Sequence, residues 1–226
     1  MANIVVRARR RGPKGVADVA LSRAQDRWFD FRNGTDTCTR VELDDLAIGS
    51  ANRRHGVSYA ATCAADFEHV LRSVALPPGR VFVDLGSGKG RTLLLASLHP
   101  FAQAVGVEFS GELCEVARRN VTAFRARHPA ACEIEVVEAD AADRPFGPGE
   151  DVFFLFHPFR PAVLEGVLQN LVASDAARPR PLWLIYNNPE HRDVVERSGL
   201  FGEPAEIVRG RSDFLVYHHP AVAAGG

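Results

Sequence analysis

The spacing of apolar positions divides the chain into an irregular first quarter and a regular remainder. From residue 81 onward, short strand-like runs alternate with segments of helical period. Val81–Leu85, Ala104–Val107, Glu133–Glu138, Asp151–Phe156 and Leu182–Tyr186 read as strands. Arg91–Leu98, Gly111–Arg127, Ala162–Ala173 and a segment from about Glu190 to Ser198 read as helices. Ala205–Arg209 and Asp213–His218 are two last strands joined by a tight turn at Gly210. Strands that alternate with helices imply a parallel sheet covered on both faces, and the closing hairpin makes that sheet mixed. The fold class expected is α/β: a three-layer α/β/α sandwich on a mostly parallel, Rossmann-like sheet of seven strands, with the last strand antiparallel.

Before residue 81 the pattern is looser. Val16, Val19, Ala20, Ala24, Trp28 and Phe31 fit one helical face, and Asn33-Gly34 marks its turn. Residues 34–58 are polar and read as loop. A second helix over Ala60–Val74 must stop before Pro77-Pro78. The expected division is a basic arm with a helical extension over 1–59, serving as a lid on the acceptor, a main domain over 60–219, and a disordered tail over 220–226.

Composition narrows the class. With 226 residues, 46% of them hydrophobic, the chain can bury a full core. Its apolar runs reach about seven residues, against the roughly 20 a membrane helix needs, so no membrane partner is expected. Arg7, Arg9, Arg10 and Arg11 follow the first apolar run rather than precede it, which is the wrong order for a secretion signal. A cytoplasmic setting is the expectation. Cys38, Cys63, Cys114 and Cys132 lack zinc spacing and read as free thiols; no metal site is expected. The net charge of −1 conceals an asymmetry: residues 1–15 hold five basic side chains and no acid, leaving the remainder 22 basic and 28 acidic, or −6. Such an arm can be a solvated terminus, or touch nucleic acid, a membrane surface or the body. Since 25 of the 27 basic residues are Arg, the count alone does not argue for nucleic acid.

The strongest local signal is Val81-Phe-Val-Asp84-Leu-Gly86-Ser87-Gly88-Lys-Gly90-Arg91. A strand enters a turn with glycines at alternate positions and leaves in a helix, which lets a ligand approach the backbone. A dinucleotide loop would carry its third glycine where Arg91 stands. Asp84, two residues before the first glycine, would repel a pyrophosphate and attract an ammonium group. Glu108 ends the second strand, 18 residues after Gly90, where an acid can accept both hydroxyls of a ribose. Asp140 ends the third run, where an adenine amino group could be met.

These residues resemble the class I S-adenosylmethionine-dependent methyltransferases: D-L-G-S-G-K-G at 84–90, G-V-E at 106–108 and E-A-D-A at 138–141, over about residues 60–219. The resemblance implies S-adenosyl-L-methionine as cofactor and S-adenosyl-L-homocysteine as product. Asp84 with Gly86, Ser87, Gly88 and Gly90 would face the methionine part, Glu108 and Phe109 the ribose side, and Asp140 with Ala141 the adenine. The glycine segment is also similar to a set of bacterial methyltransferases with a short N-terminal extension, and locally to the non-SET histone lysine methyltransferases.

Methyl transfer is an in-line displacement, and the protein's part is chiefly to position the acceptor. The fourth strand ends Phe156-His157-Pro158-Phe159, where relatives that methylate amide or exocyclic nitrogens carry Asn-Pro-Pro-aromatic. That departure argues against DNA-adenine or glutamine methylation, and nucleic acid is not an expected partner. His157 can be a base, an acceptor-orienting group that also meets the cofactor, or a histidine bonded to its loop. Asn187 in Tyr186-Asn187-Asn188-Pro189 can meet an acceptor or shape the turn. Tyr59 and Thr62 fall where relatives pass the cofactor's methionine end. The catalytic candidates are His157 and Tyr59. The acceptor-side candidates are Tyr59, Thr62, Pro158, Phe159 and Asn187. The reading is a methyltransferase acting on oxygen or nitrogen of a small molecule; the alternatives are a protein lysine methyltransferase and a non-catalytic cofactor binder. The oligomeric state is not legible.

Overall fold

The computed structural model describes residues 12–41, 59–156, 159–209 and 212–221. The elements are α1 (Gly12–Asn33), α2 (Ala64–Ser73), β1 (Val81–Leu85), α3 (Arg91–Ala96), β2 (Gln103–Glu108), α4 (Gly111–Arg125), β3 (Glu133–Glu138), β4 (Glu150–Phe156), α5 (Pro161–Ala177), β5 (Leu182–Asn187), α6 (Arg192–Arg197), β6 (Ala205–Arg209) and β7 (Ser212–His219). The seven strands form one sheet in the order β3-β2-β1-β4-β5-β7-β6. β1 to β5 run parallel, and β7 inserts antiparallel between β5 and β6. This is the α/β/α architecture that the alternation of runs predicts.

Strand alternation sends successive side chains to opposite faces, and both faces are packed. Val83, Val105, Phe153, Leu184 and Tyr217 meet α5 and α6 through Leu164, Leu168, Leu171 and Val195. Phe82, Ala104, Phe154, Ile185 and Phe214 meet α2, α3 and α4 through Phe67, Val70, Leu94 and Phe124. Phe67 stands edge-on to both Phe82 and Phe154, with ring centroids 5.8 and 5.1 Å apart, an arrangement aromatic quadrupoles favour. The strand order reverses between β1 and β4, and the crevice at that switch opens at the carboxyl ends of the strands.

Two expectations about the N-terminal region are corrected. Helix α1 begins at Gly12, inside the segment read as arm; residues 1–11 lie outside the described residues. More importantly, α1 is turned the other way. Trp28 and Phe31, on the apolar helical face read from the sequence, are 61% and 79% exposed, while Asp26, Asp30 and Asn33 are buried. The reason is electrostatic and lies in α3. Helix α2 starts at Ala64, after Cys63, rather than at Ala60. The Gly210 turn and residues 222–226 of the tail lie outside the described residues.

Candidate active site

The glycine loop joins β1 to α3. Gly86 and Ser87 donate their N–H groups to Val107 O at 2.8 and 3.1 Å, and Gly90 closes the turn on Ser87 O at 2.9 Å. Gly88 has φ +53°, and a Cβ there would stand 2.2 Å from the Tyr59 ring, so only glycine lets the aromatic lie against the loop. Gly106 on β2 is equally constrained, since its Cβ would fall 2.5 Å from Leu93 and 2.7 Å from Ser87 Oγ. Tyr59 is half-buried and donates its hydroxyl to Thr37 O at 2.8 Å. Burial holds that phenol well above its ordinary range, with opposing help from Arg91.

Two carboxylates flank this loop. Asp84 is 3% exposed and accepts a hydrogen bond from Thr92 Oγ1. Burial pushes its acid up to about 7; the Thr92 bond opposes the shift and the charge of Glu108 adds to it. Glu108 is 4% exposed and accepts the N–H of Gly88 at 2.8 Å and of Ser110 at 3.0 Å. Burial pushes it also to about 7, against those bonds and one from the Phe109 N–H. No Lys or Arg lowers either acid, so the pair is a buried acidic site whose ionised form a cationic ligand would stabilise. Asp140 is half-buried beyond β3 and accepts the Ala142 N–H at 3.0 Å, beside the buried Ala141. Ser87 Oγ is buried and has no partner. A cradle that only glycine permits, an unpartnered hydroxyl and two buried acids lacking a cation suit a ligand with an ammonium or sulfonium charge and a hydroxylated sugar.

The residue that sequence reasoning missed is Arg91. It is 2% exposed, the largest side chain so fully buried. Its Nη1 donates to Asp26 Oδ1 at 2.7 Å, its Nη2 to Asp26 O at 3.1 Å and Cys38 Sγ at 2.8 Å, and its Nε to Thr37 Oγ1 at 2.8 Å. The guanidinium also stands over the Phe29 ring at 5.0 Å. Asp30 braces the far side, accepting the Thr37 N–H at 2.9 Å, the Cys38 N–H at 2.8 Å and the Thr37 hydroxyl at 2.6 Å. These bonds lower its pKa against the cost of burial. Lys89 pairs with Asp36 at 2.9 Å, and Asn120 on α4 bridges Asp36 and Lys89 O. The extension is thus fastened to the glycine loop by charge, and this is why α1 turns its polar face inward. The signal in the sequence was an Arg directly after the third glycine together with acids at 26 and 30, four residues apart.

On the acceptor side, Thr62 is buried just before α2, and Phe159 is half-buried after β4, packed against the core under α5. His157 and Pro158 lie outside the described residues. Asn187 ends β5 in register with Phe156 of β4 and Phe214 of β7. It is 1% exposed, and neither its amide oxygen nor its amide nitrogen has a hydrogen-bond partner. The turn that follows is made instead by Asn188, at φ +53°, whose N–H reaches Asp213 O at 2.9 Å. No group of His, Cys, Asp or Glu among the described residues could hold a metal ion. No helix among them is long and apolar enough to cross a membrane.

Comparison with known proteins agrees with this construction. A family model described as "Histone methylation protein DOT1" matches residues 55–134, from before Tyr59 through β2 and α4. The chain is 40% identical over 58 residues to the H3 lysine-79 specific histone-lysine N-methyltransferase of Aspergillus fumigatus. That stretch is 26% of this chain and 12% of the fungal protein, so the chain spans a small part of that relative's length. Among solved structures, the precorrin-6y C5,15-methyltransferase of Geobacter metallireducens superposes with a TM-score of 0.52 at 17% identity, covering 83% of this chain and all of the other (100%). The ribosomal protein L11 methylase of Lactobacillus delbrueckii gives 0.51 at 14% identity, over 70% of this chain and 79% of that one. At these identities the two structures speak to the fold. With its strand order and its acid-flanked glycine loop the chain has the Rossmann-like fold of the class I S-adenosylmethionine-dependent methyltransferases, and over residues 55–134 it is similar to the histone-methylation family.

Proposed function

We propose that the protein transfers a methyl group from S-adenosylmethionine to an amine nitrogen, with a lysine side chain of a protein as the acceptor class. The observation that carries the cofactor is the pair Asp84 and Glu108, both buried and neither compensated by a basic side chain. In this reading Asp84 and the backbone of 86–90 hold the methionine end, with Tyr59 and Thr62 beside it. Glu108, next to Phe109, holds the ribose, and Asp140 with Ala141 meets the adenine. When bound, the cofactor supplies an electrophilic methyl on a sulfonium. The chain's residues attract that positive charge, orient the acceptor and exclude water. An ammonium acceptor must shed a proton before it can attack, and His157, after β4, is the group proposed to take it. Asn187, with both polar ends unpaired, is proposed to orient the acceptor.

The match of residues 55–134 to the histone-methylation model supports a lysine acceptor. It covers the cofactor half only. The segment 156–159, which faces the acceptor in this class, lies outside the match and favours the second reading, a small-molecule amine or hydroxyl. Incubation with methyl-labelled cofactor decides between them. Label on lysine in an added protein mixture, absent with Asp84→Asn, supports the first reading. Label in small-molecule extracts alone supports the second. Failure to bind the cofactor at all by calorimetry would refute both.

A further inference from the structure

Helix α1 is amphipathic the wrong way round for a surface helix. Its inward face carries Asp26, Asp30 and Asn33, at 5%, 9% and 4% exposure, the two acids held by the Arg91 network and Asn33 by His128 of the body at 2.8 Å. Its outward face carries Leu21, Ala24, Trp28 and Phe31. Leu21, Trp28 and Phe31, at 60%, 61% and 79%, are more exposed than any other large apolar side chain among the described residues. Trp28 and Phe31 lie ring against ring, with centroids 5.6 Å apart. The spacing 21, 24, 28, 31 alternates steps of three and four, which is the seam of a helix that packs on another helix. From Leu21 to Phe31 that seam runs about 15 Å, or nearly three turns.

The flanks state the partner's charge. Arg27 and Arg32 stand on either side of the seam and Arg23 lies next to Arg27, all exposed; Gln25 completes the row. Between residues 21 and 33 no acid is exposed, because both Asp residues are turned into the body. A second copy of α1 laid on this seam would bring Arg27 opposite Arg32 in a parallel pair, and over residues 21–33 would offer no exposed carboxylate, the remaining acid of the helix, Asp18, preceding that stretch. Self-pairing through the helix is therefore opposed. The face is a convex ridge, a shape that fits a groove or a neighbouring helix better than it encloses a base. We propose that the outer face of α1 docks an amphipathic helix of a partner protein, one with an apolar seam flanked by Glu or Asp. The docked helix would stand about one helix diameter from the glycine loop, because Arg91 joins α1 to the first turn of α3. This inference does not depend on the identity of the methyl acceptor.

The test uses the full chain carrying Trp183→Phe, so that Trp28 is the sole indole, and two synthetic helical peptides. Both peptides have Leu along the seam; one has Glu at the flanking positions and the other Lys. The expected result is a shift of Trp28 emission on adding the Glu peptide, with a Kd on the order of 10 μM, and binding at least about tenfold weaker for the Lys peptide. Arg27→Glu with Arg32→Glu should reverse that preference. Trp28→Ser with Phe31→Ser should abolish calorimetric binding of the Glu peptide while the urea midpoint of the protein is unchanged, since neither ring is part of the core. Equal binding of the two peptides, or none, overturns the proposal. So does tighter binding to phosphatidylserine vesicles or to a single-stranded oligonucleotide than to the Glu peptide. A dimer in light scattering that the Trp28→Ser and Phe31→Ser changes dissolve would assign the face to self-association and overturn it too.

Discussion

Replacing Arg91 with Met keeps much of the side-chain bulk over Phe29 and removes the charge. What is lost can be worked from the contacts. The guanidinium is the cation for Asp26, at 2.7 Å, and stands 3.6 Å from Asp30, with all three side chains nearly out of water. Breaking a buried pair by removing one partner costs about 3–5 kcal/mol, chiefly because a carboxylate is left buried and uncompensated. Against a typical domain stability of about 5–15 kcal/mol, that is a large fraction. The double substitution Arg91→Met with Asp26→Leu removes both charges. It should recover part of the loss, although the Ala64 N–H, which Asp26 accepts at 3.2 Å, is then left without this partner. The coupling between the two positions should be on the order of 2 kcal/mol. Urea unfolding of the two single variants and the double variant measures it. Hydrogen exchange adds a local readout: α1 amides should lose protection in Arg91→Met while those of β1 and β4 keep theirs. A cost below about 1 kcal/mol, or additivity within about 0.5 kcal/mol, would refute the claim that charge fastens the extension.

Three further outcomes are expected. Asp84 and Glu108 hold protons in the folded protein up to about 7, against ordinary values of 3.8 and 4.5, so the native state binds more protons than the unfolded chain between those limits. Stability of the ligand-free protein should therefore fall as pH rises from about 4 to about 7, and Asp84→Asn with Glu108→Gln should flatten the urea midpoint over that same range. Since a cationic cofactor favours the ionised forms, its binding should release protons near neutral pH, seen as a dependence of calorimetric heat on the buffer's ionisation enthalpy; zero release would count against the placement. Asn187→Leu removes a buried amide with no partner and should raise stability by about 1 kcal/mol in thermal unfolding while lowering methyl transfer, whereas a loss of stability would mean the amide is structurally engaged. Gly88→Ala puts a methyl into the Tyr59 ring at a positive φ and should weaken cofactor binding at least about tenfold while costing about 1–3 kcal/mol of stability; unchanged affinity would show that the ring and loop move apart freely.

The sheet and its flanking helices were legible because the strands from Val81 onward are short runs, apolar in the centre of the sheet and mixed with charge in β3 and β6, and the structure keeps those runs to within a residue or two. The glycine loop and its acids were legible because the chemistry needs those residue types at strand ends. The face of α1 was not. Apolar periodicity assigns the apolar side inward, and it does so here for α4, which buries Leu113, Ala117 and Phe124. In α1 a single buried guanidinium overrides the rule, and it sits 65 residues away in sequence from Asp26. A pattern read one segment at a time does not contain that pairing. Asn187 was ambiguous for a related reason: a turn role and a site role predict the same residue, and its lack of a partner is a property of the packed sheet.

The inversion of α1 bears on why the chain keeps a buried ion network where apolar packing would serve as well or better. Exchanging a buried triad for well-packed apolar residues is often neutral or stabilising, so stability alone is a weak reason for Asp26, Asp30 and Arg91. An apolar interface would have drawn Leu21, Trp28 and Phe31 onto the body, leaving the Asp face in water. The charged one selects a single orientation, because only the Asp face can satisfy Arg91. It thereby leaves the apolar seam outward and ties it to the first turn after the glycine loop. Anything that loads the seam then bears on the element that positions Tyr59 over Gly88, through Thr37, which meets both the Tyr59 hydroxyl and Arg91. On this argument the cost of burying the charges is the cost of specifying which side of the extension meets the loop and which side is left for a partner.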